Sequence, residues 1–252
     1  SNRYQTATST WYRADINVVG QWSGALSDTG ERVALSASNG VEILVAKYGD
    51  GRGWPLEADG AGHSLVPTGP ADSLHYSGHW RASKTINGSP GSADPDPPTT
   101  VVLNEIAAHT DTAQPPPNDS DDWIELYNPL NTTVDVSGWW LSDDRDDLMR
   151  YQIPTGTVVH AQDYLLLTES LHFHTNRLDG SGFGLNKAGE QVFLSYLPGD
   201  GTDRIVDAKR FKGQENETTL GRVPDGGSYW YALVPTPGTS NTNPAGHVRI
   251  SQ

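Results

Sequence analysis

Short apolar runs broken by turn-forming residues set the character of this chain. They are Arg32 to Leu35, Val41 to Ala46, Thr100 to Ile106, Trp123 to Tyr127, Tyr164 to Thr168, Gln191 to Tyr196 and Arg204 to Lys209. Between them stand Ser38-Asn39-Gly40, Asn128-Pro129, Pro198-Gly199-Asp200-Gly201 and Asp225-Gly226-Gly227. Runs of this length with β-branched and aromatic residues, punctuated by Gly, Asn, Asp and Pro, predict strands and turns. In Trp123-Ile124-Glu125-Leu126-Tyr127 a period of two puts Trp123, Glu125 and Tyr127 on one face and Ile124 and Leu126 on the other. Asn128-Pro129 should end that strand, because proline has no N–H for a ladder. Gly138 before Trp139-Trp140 predicts a bulge or tight bend. Helix is expected nowhere beyond a turn or two, with Asp144 to Met149 the candidate for one short helical turn. The pattern is that of a β-sandwich or barrel.

Ser89 to Thr99 reads SPGSADPDPPT, an extended and semi-rigid kind of segment and the best boundary in the chain. It divides the sequence into residues 1–92, a Pro-rich linker at 93–99, a larger domain at 100–242 and a tail at 243–252. Across the boundary the chain repeats itself. Ser27 to Leu35 matches Asn186 to Leu194, Val41 to Lys47 matches Asp203 to Lys209, and Trp80 with Pro90-Gly91 matches Trp230 with Pro237-Gly238. The part before the linker thus corresponds to the second half of the part after it, and Ser1 to Gly20 matches nothing in the first half. His247 to Gln252 is similar to Thr100 to Glu105, which makes Val248 and Ile250 candidates for the first strand of a further repeat, open to strand addition.

Charge narrows the possible partners. With 17 basic and 31 acidic side chains the formal net charge is −14, against general affinity for nucleic acid or anionic lipid. No apolar run approaches the roughly 18 to 20 residues of a membrane span, so no membrane insertion is expected. The absence of cysteine excludes disulfides, thiolate metal sites and a Cys nucleophile.

From Val101 to Asn241 the sequence resembles the lamin tail domain in its bacterial extracellular form. The residues that carry this are Leu103-Asn104-Glu105-Ile106, Asp122 to Pro129, Val134 to Trp139, Leu141 to Asp144, Ile153-Pro154, Gly156 to Val159, His174-Thr175-Asn176, Gly189-Glu190, Gly221 to Gly226 and Pro235 to Gly238. Trp54-Pro55, Ala58-Asp59-Gly60, Gly62 to Leu65 and Trp80 to Ser83 resemble a variant of the latter half of the same domain. The resemblance implies an all-β chain of tandem immunoglobulin-like β-sandwiches, the first incomplete. It implies a non-catalytic interaction module of a large secreted or cell-surface bacterial protein, with other protein chains or further repeats of the same protein as partners. The missing strands of the first sandwich would come from another chain or from an upstream segment, since an open sandwich leaves an unpaired edge.

Several residues invite chemical readings. Acidic side chains cluster at Asp119, Asp121 and Asp122 and again at Asp143, Asp144, Asp146 and Asp147. Loop carboxylates at such spacing suit calcium, with Asp143, Asp144 and Asp146 the first choice and Asp121 the second. The EF-hand spacing is absent, and Asp serves turns and caps equally well without metal, so no cofactor is required. Glu105 and Glu125 sit in apolar strands and read as buried, hydrogen-bonded carboxylates rather than as a glycosidase pair. His172 and His174 alternate and would share a strand face, without a third metal ligand. His63-Ser64 lacks the elbow and the ordered partners of a nucleophile and reads as a strand start. Of the eight Trp, Trp123, Trp139 and Trp230 read as core. Trp54 and Trp140 are freer, and either is a candidate for stacking on sugar. The alternative function is therefore a polysaccharide-binding accessory module of a secreted enzyme.

Overall fold

A computed structural model of the chain describes residues 23–51, 53–70, 73–109, 121–174 and 182–242. It divides into two compact units, Ser1–Pro97 and Pro98–Gln252. Both are built from antiparallel strands; the longest helical element among the described residues is the five-residue π-turn Glu169–Phe173. No helix among them is long and apolar enough to cross a membrane.

The first unit holds two hairpins. β1 (Gly30–Ser36) pairs with β2 (Glu42–Gly49), and their ladder slips between Leu35 and Ser36. The hairpin closes at Asn39-Gly40, where Gly40 takes φ 83°, a value that glycine reaches without steric cost. β3 (Leu65–Pro67) pairs with β4 (Trp80–Ala82). Trp80 ties this hairpin to its neighbourhood: its ring lies 6.2 Å from that of Trp54, and its indole N–H donates to Leu74 O at 3.1 Å.

The segment after β4 is not a free linker. Asp94, with a side chain only 5% exposed, accepts from Arg81 Nη1 at 2.6 Å, from the Lys84 N–H at 2.9 Å and from Ser89 Oγ at 2.8 Å. Its carbonyl accepts from Arg81 Nη2 at 2.7 Å. A proline- and serine-rich composition made this stretch look extended. Four charge-assisted or backbone contacts instead fold it onto β4.

The second unit is a sandwich of two sheets. The five-stranded sheet runs β11-β6-β5-β14-β15 and the four-stranded sheet β13-β12-β8-β9. Their strands are β5 (Val102–Ala107), β6 (Trp123–Tyr127), β8 (Trp140–Ser142), β9 (Tyr151–Gln152), β11 (Tyr164–Thr168), β12 (Gly189–Tyr196), β13 (Arg204–Lys212), β14 (Thr219–Arg222) and β15 (Trp230–Leu233). β7 (Val134–Asp135) and β10 (Val158–Val159) form a separate small pair. Alternation along β6 sends Ile124 and Leu126 into the core beside Leu103, Ile106, Val192 and Leu194, as the sequence pattern predicts. Asn128 ends β6 and is itself buried; its amide donates to the carbonyls of Thr132, Val159 and His160. Gly138, at φ 74°, makes the expected bend.

Between Leu103 and Glu105 the β5 ladder slips by one residue. Leu103 and Ile106 thereby both face the core, Glu105 faces outward, and Asn104 is left over from the ladder with its side chain free to bond elsewhere. Asp144 to Met149 forms turns rather than a helical turn. Ser142 Oγ lies within hydrogen-bond reach of Asp144 O (3.0 Å) and Asp147 O (2.6 Å), holding the loop in that shape. The Tyr151 hydroxyl is buried without a partner among the described residues.

Two stability outcomes follow. Asp94→Ala should lower amide protection in β3 and β4 by about 2 kcal/mol, the loss of a largely buried charged acceptor, and leave β5 and β6 unchanged by hydrogen exchange. Tyr151→Phe should leave the melting temperature of the chain unchanged or raised, because it removes an unsatisfied buried hydroxyl at nearly constant volume.

Candidate functional site

Glu105 and Glu125 face each other across the β5–β6 ladder, on the side of the sheet away from the core, yet both are fully buried. Their cover is the segment after β15, Pro235 to Asn241, which returns over this outer face as a strap. Glu105 Oε1 accepts from the Thr219 hydroxyl and from the Thr236 N–H at 3.2 Å, while the Thr236 hydroxyl is 2.8 Å from Oε2. Glu125 Oε2 accepts from the Gly238 N–H at 2.6 Å and Oε1 from Asn104 Nδ2 at 3.1 Å. Asp225 completes the cluster, accepting from Asn104 Nδ2 and the Asn241 N–H, each at 3.0 Å, from the Tyr164 hydroxyl at 2.8 Å and from Ser240 Oγ. Asn241 reaches back to Asn104 O at 3.2 Å and Arg222 O at 3.0 Å. It can do so because Gly221 below it has no side chain: a Cβ there would stand 2.6 Å from Leu233 Cδ1 and 2.7 Å from Asn241 Nδ2.

Burial pushes Glu125 up to about 8, with Glu105 and Asp225 nearby adding to the rise against the donors it accepts from. Burial raises Glu105 as well. At Asp225 burial acts the same way, but hydrogen bonds from Ser240, Asn104, Asn241 and Tyr164 outweigh it and hold the carboxyl below its usual range. The oxygens of these three groups are taken up by donors of the protein itself, as buried carboxylates require. They are structural, as the sequence suggests for Glu105 and Glu125. Asp225 and the strap were not foreseen.

The acidic loops are organised by backbone. Asp121 accepts from Ser170 N at 3.2 Å and Ser170 Oγ at 2.6 Å. Asp122 accepts from His109 N at 2.6 Å and from Leu185 N, and burial raises it to about 6. Asp143 pairs with Arg150, Asp144 Oδ1 accepts from Asp146 N at 2.9 Å, and Asp146 is exposed. Asp143, Asp144, Asp146 and Asp121 are thus each turned to a different donor or to solvent. No group of three or more His, Asp or Glu arranged to hold a metal ion occurs among the described residues. Asp119, Val248 and Ile250 lie outside them.

The histidines depart from their expected setting. His172 and His174 are not on a strand but at the π-turn that follows β11. His172 Nδ1 accepts from the Thr168 N–H at 3.0 Å, and His174 Nδ1 lies 3.2 Å from Glu169 Oε1. Alternation in a tight turn mimics a strand over three residues. His63 Nδ1 is 2.7 Å from Ser83 O, so that nitrogen carries the proton and donates it. It cannot act there as a base toward the Ser83 hydroxyl. Trp54 is half-buried against Trp80, and Trp140 is half-buried in β8.

The feature that no motif announced is apolar. On β1 and β2, Val33, Leu35, Ile43 and Leu44 are exposed, with Leu26 and Val41 beside them in sequence. Pairing of Val33 with Ala46 and Leu35 with Leu44 puts Val33, Leu35 and Leu44 on one sheet face. The signal lay in the repeat: Val33 and Leu35 match Val192 and Leu194, which are core residues.

A two-sheet antiparallel sandwich of this strand order belongs to the class of immunoglobulin-like β modules. Residues 95–209 match the Lamin Tail Domain family, a family of non-enzymatic immunoglobulin-like modules typically engaged in protein interaction. The sandwich runs beyond the match, since β5 pairs with β14 and the strap ends at Asn241. No curated protein and no solved structure matches the chain.

A carboxyl whose folded value is raised binds its proton more tightly in the fold, so its stabilising share is complete below the unfolded value of about 4.3 and is lost as pH rises through the folded one. For Glu125 that loss is completed near pH 8. The second unit should therefore melt lower at pH 8.5 than at pH 6.5, and Glu125→Gln should reduce this difference in calorimetry. Gly221→Ala should destabilise the same unit by about 1 to 3 kcal/mol in urea unfolding, through forced displacement of Leu233 or Asn241.

Proposed function

We propose that this chain is a non-catalytic structural or adhesive module of a larger extracellular or cell-surface bacterial assembly, acting through protein–protein contacts. The observation that carries this reading is the exposed apolar face of β1–β2. Contiguous apolar surface of this kind marks contact sites for other macromolecules. Among the described residues, the buried acids Glu105 and Glu125 accept from backbone and hydroxyl donors, and the His63 Nδ1 proton is committed to a carbonyl. The match of residues 95–209 to a family of interaction modules supports the same conclusion.

The test is the solution mass of the whole chain by light scattering across a concentration series, in calcium and then in chelator. Association that grows with concentration and is suppressed by Leu35→Asp is the expected result. A monomer at every concentration whose tryptophan emission shifts with a polysaccharide would overturn it in favour of an accessory module.

A further inference from the structure

The open face of β1–β2 has a counterpart in the second unit whose cover is visible. The β12–β13 hairpin reproduces β1–β2 in its details. Gly30 and Gly189 both take positive φ, 102° and 122°. A Cβ on the first would lie 2.4 Å from Tyr48 O, and on the second 2.9 Å from Lys212 Cα. Glu31 accepts from Ser27 N at 2.9 Å, and Glu190 from Asn186 N at 2.7 Å. Each ladder slips after the corresponding leucine, Leu35 or Leu194. The β3–β4 hairpin likewise pairs Leu65 with Ala82 and Pro67 with Trp80, where β14–β15 pairs Leu220 with Ala232 and Arg222 with Trp230. Even the strap recurs. Ser92 N donates to Ser89 O at 3.0 Å, as Thr239 N does to Thr236 O at 3.1 Å. Ser89 Oγ reaches Asp94 Oδ2 at 2.8 Å, as Thr236 Oγ1 reaches Asn241 Oδ1 at 2.7 Å.

The ladders correct the sequence match by one residue in the second strand. Lys47 lies opposite Arg32, and its counterpart opposite Gln191 is Arg210, not Lys209. Leu44 then stands where Asp207 does, and Pro67 where Arg222 does. Asp207 and Arg222 form the mostly buried ion pair between the two sheets of the second unit. In the first unit both members are replaced together by apolar residues, leaving neither charge stranded.

What differs is the cover. Val192 and Leu194 are 0% exposed, whereas Val33 is 42% and Leu35 59% exposed. The strap N–H groups of Thr236 and Gly238 end on Glu105 and Glu125. Their counterparts, the N–H groups of Ser89 and Gly91, have no acceptor among the described residues. The first unit therefore presents an apolar face and also two backbone donors complementary to a pair of carboxylates.

We propose that the first unit is the second half of a sandwich completed by a β-segment of lamin-tail type, similar to β5, β6 and β8, that turns its apolar side to Val33, Leu35 and Leu44 and offers two glutamates to Ser89 and Gly91. This rests on the protein-interaction reading and names the partner of that same surface. Association is strand complementation, in which ladder hydrogen bonds and a shared core form together.

The probe is the segment 98–142 of this sequence, made as a separate polypeptide and titrated into the whole 252-residue chain. Saturable one-to-one binding is expected, with new amide protection by hydrogen exchange at 30–49 and 89–91. Leu35→Asp in the chain should weaken binding at least about tenfold, since it sets an unpaired charge against the incoming apolar face. Glu105→Gln with Glu125→Gln in the probe should weaken it too. Failure of a monomeric probe to bind, binding indifferent to Leu35→Asp, or protection confined to the second unit would each overturn the proposal. So would protection of β1–β2 in the chain alone equal to that of β12–β13, which would mean that the face is already covered. Self-association abolished by Leu35→Asp without binding of the probe would retire this partner while leaving the interaction reading intact.

Discussion

Arg222 is the side chain on which the second unit's architecture turns. From β14 it reaches across the sandwich and places one nitrogen on both oxygens of Asp207 in β13, at 3.0 and 2.8 Å. Its Nε donates to Leu103 O on β5 at 2.7 Å, and its plane lies 4.6 Å from the Trp230 ring. Asp207 in turn accepts from the Leu103 N–H at 2.9 Å. One guanidinium thus fixes the stagger of three strands in two sheets. A buried pair of this kind adds little net stability, because desolvation offsets the attraction, but a planar fork accepts only one geometry. With the sheets locked this way, β14 lies against β5, and the outer face carrying Glu105 and Glu125 is presented to the strap.

The large features of this arrangement are legible in the sequence where a residue pattern is long enough to have a period. Trp123 to Tyr127 alternates over five residues, and its faces follow. Glu105 and Glu125 announce themselves as charged residues inside apolar strands. Val134–Asp135, Tyr151–Gln152 and Val158–Val159 are strands of two residues, too short to show any period, and emerge only from tertiary pairing. The slip at Asn104 is invisible for a related reason: one extra residue in a ladder leaves composition unchanged while reversing which side chains meet. The aspartates at 121 and 143 to 147 show a deeper ambiguity. A carboxylate that caps a turn and one that holds a cation occupy the same kinds of loop at the same spacings.

Comparison of the two units separates what a hairpin encodes from what its surroundings supply. The glycine at the strand start, the glutamate on the preceding turn and the slip after the leucine are local and recur in both. Burial does not recur. Valine and leucine at equivalent positions are sealed in one unit and open in the other, so burial is supplied by the surroundings and not by the hairpin itself.

The strap also sets when the second unit can finish folding. Asn104 and Asn241 are bonded partners, yet 137 positions separate them. Contacts of such span carry a loop-closure entropy that local contacts do not, and they slow folding. During synthesis the acids on β5 and β6 emerge long before the amides that receive them and stay solvated in the meantime. The acids are covered only when this final loop is in place, so completion of the sandwich depends on residues made well after the strands that carry them.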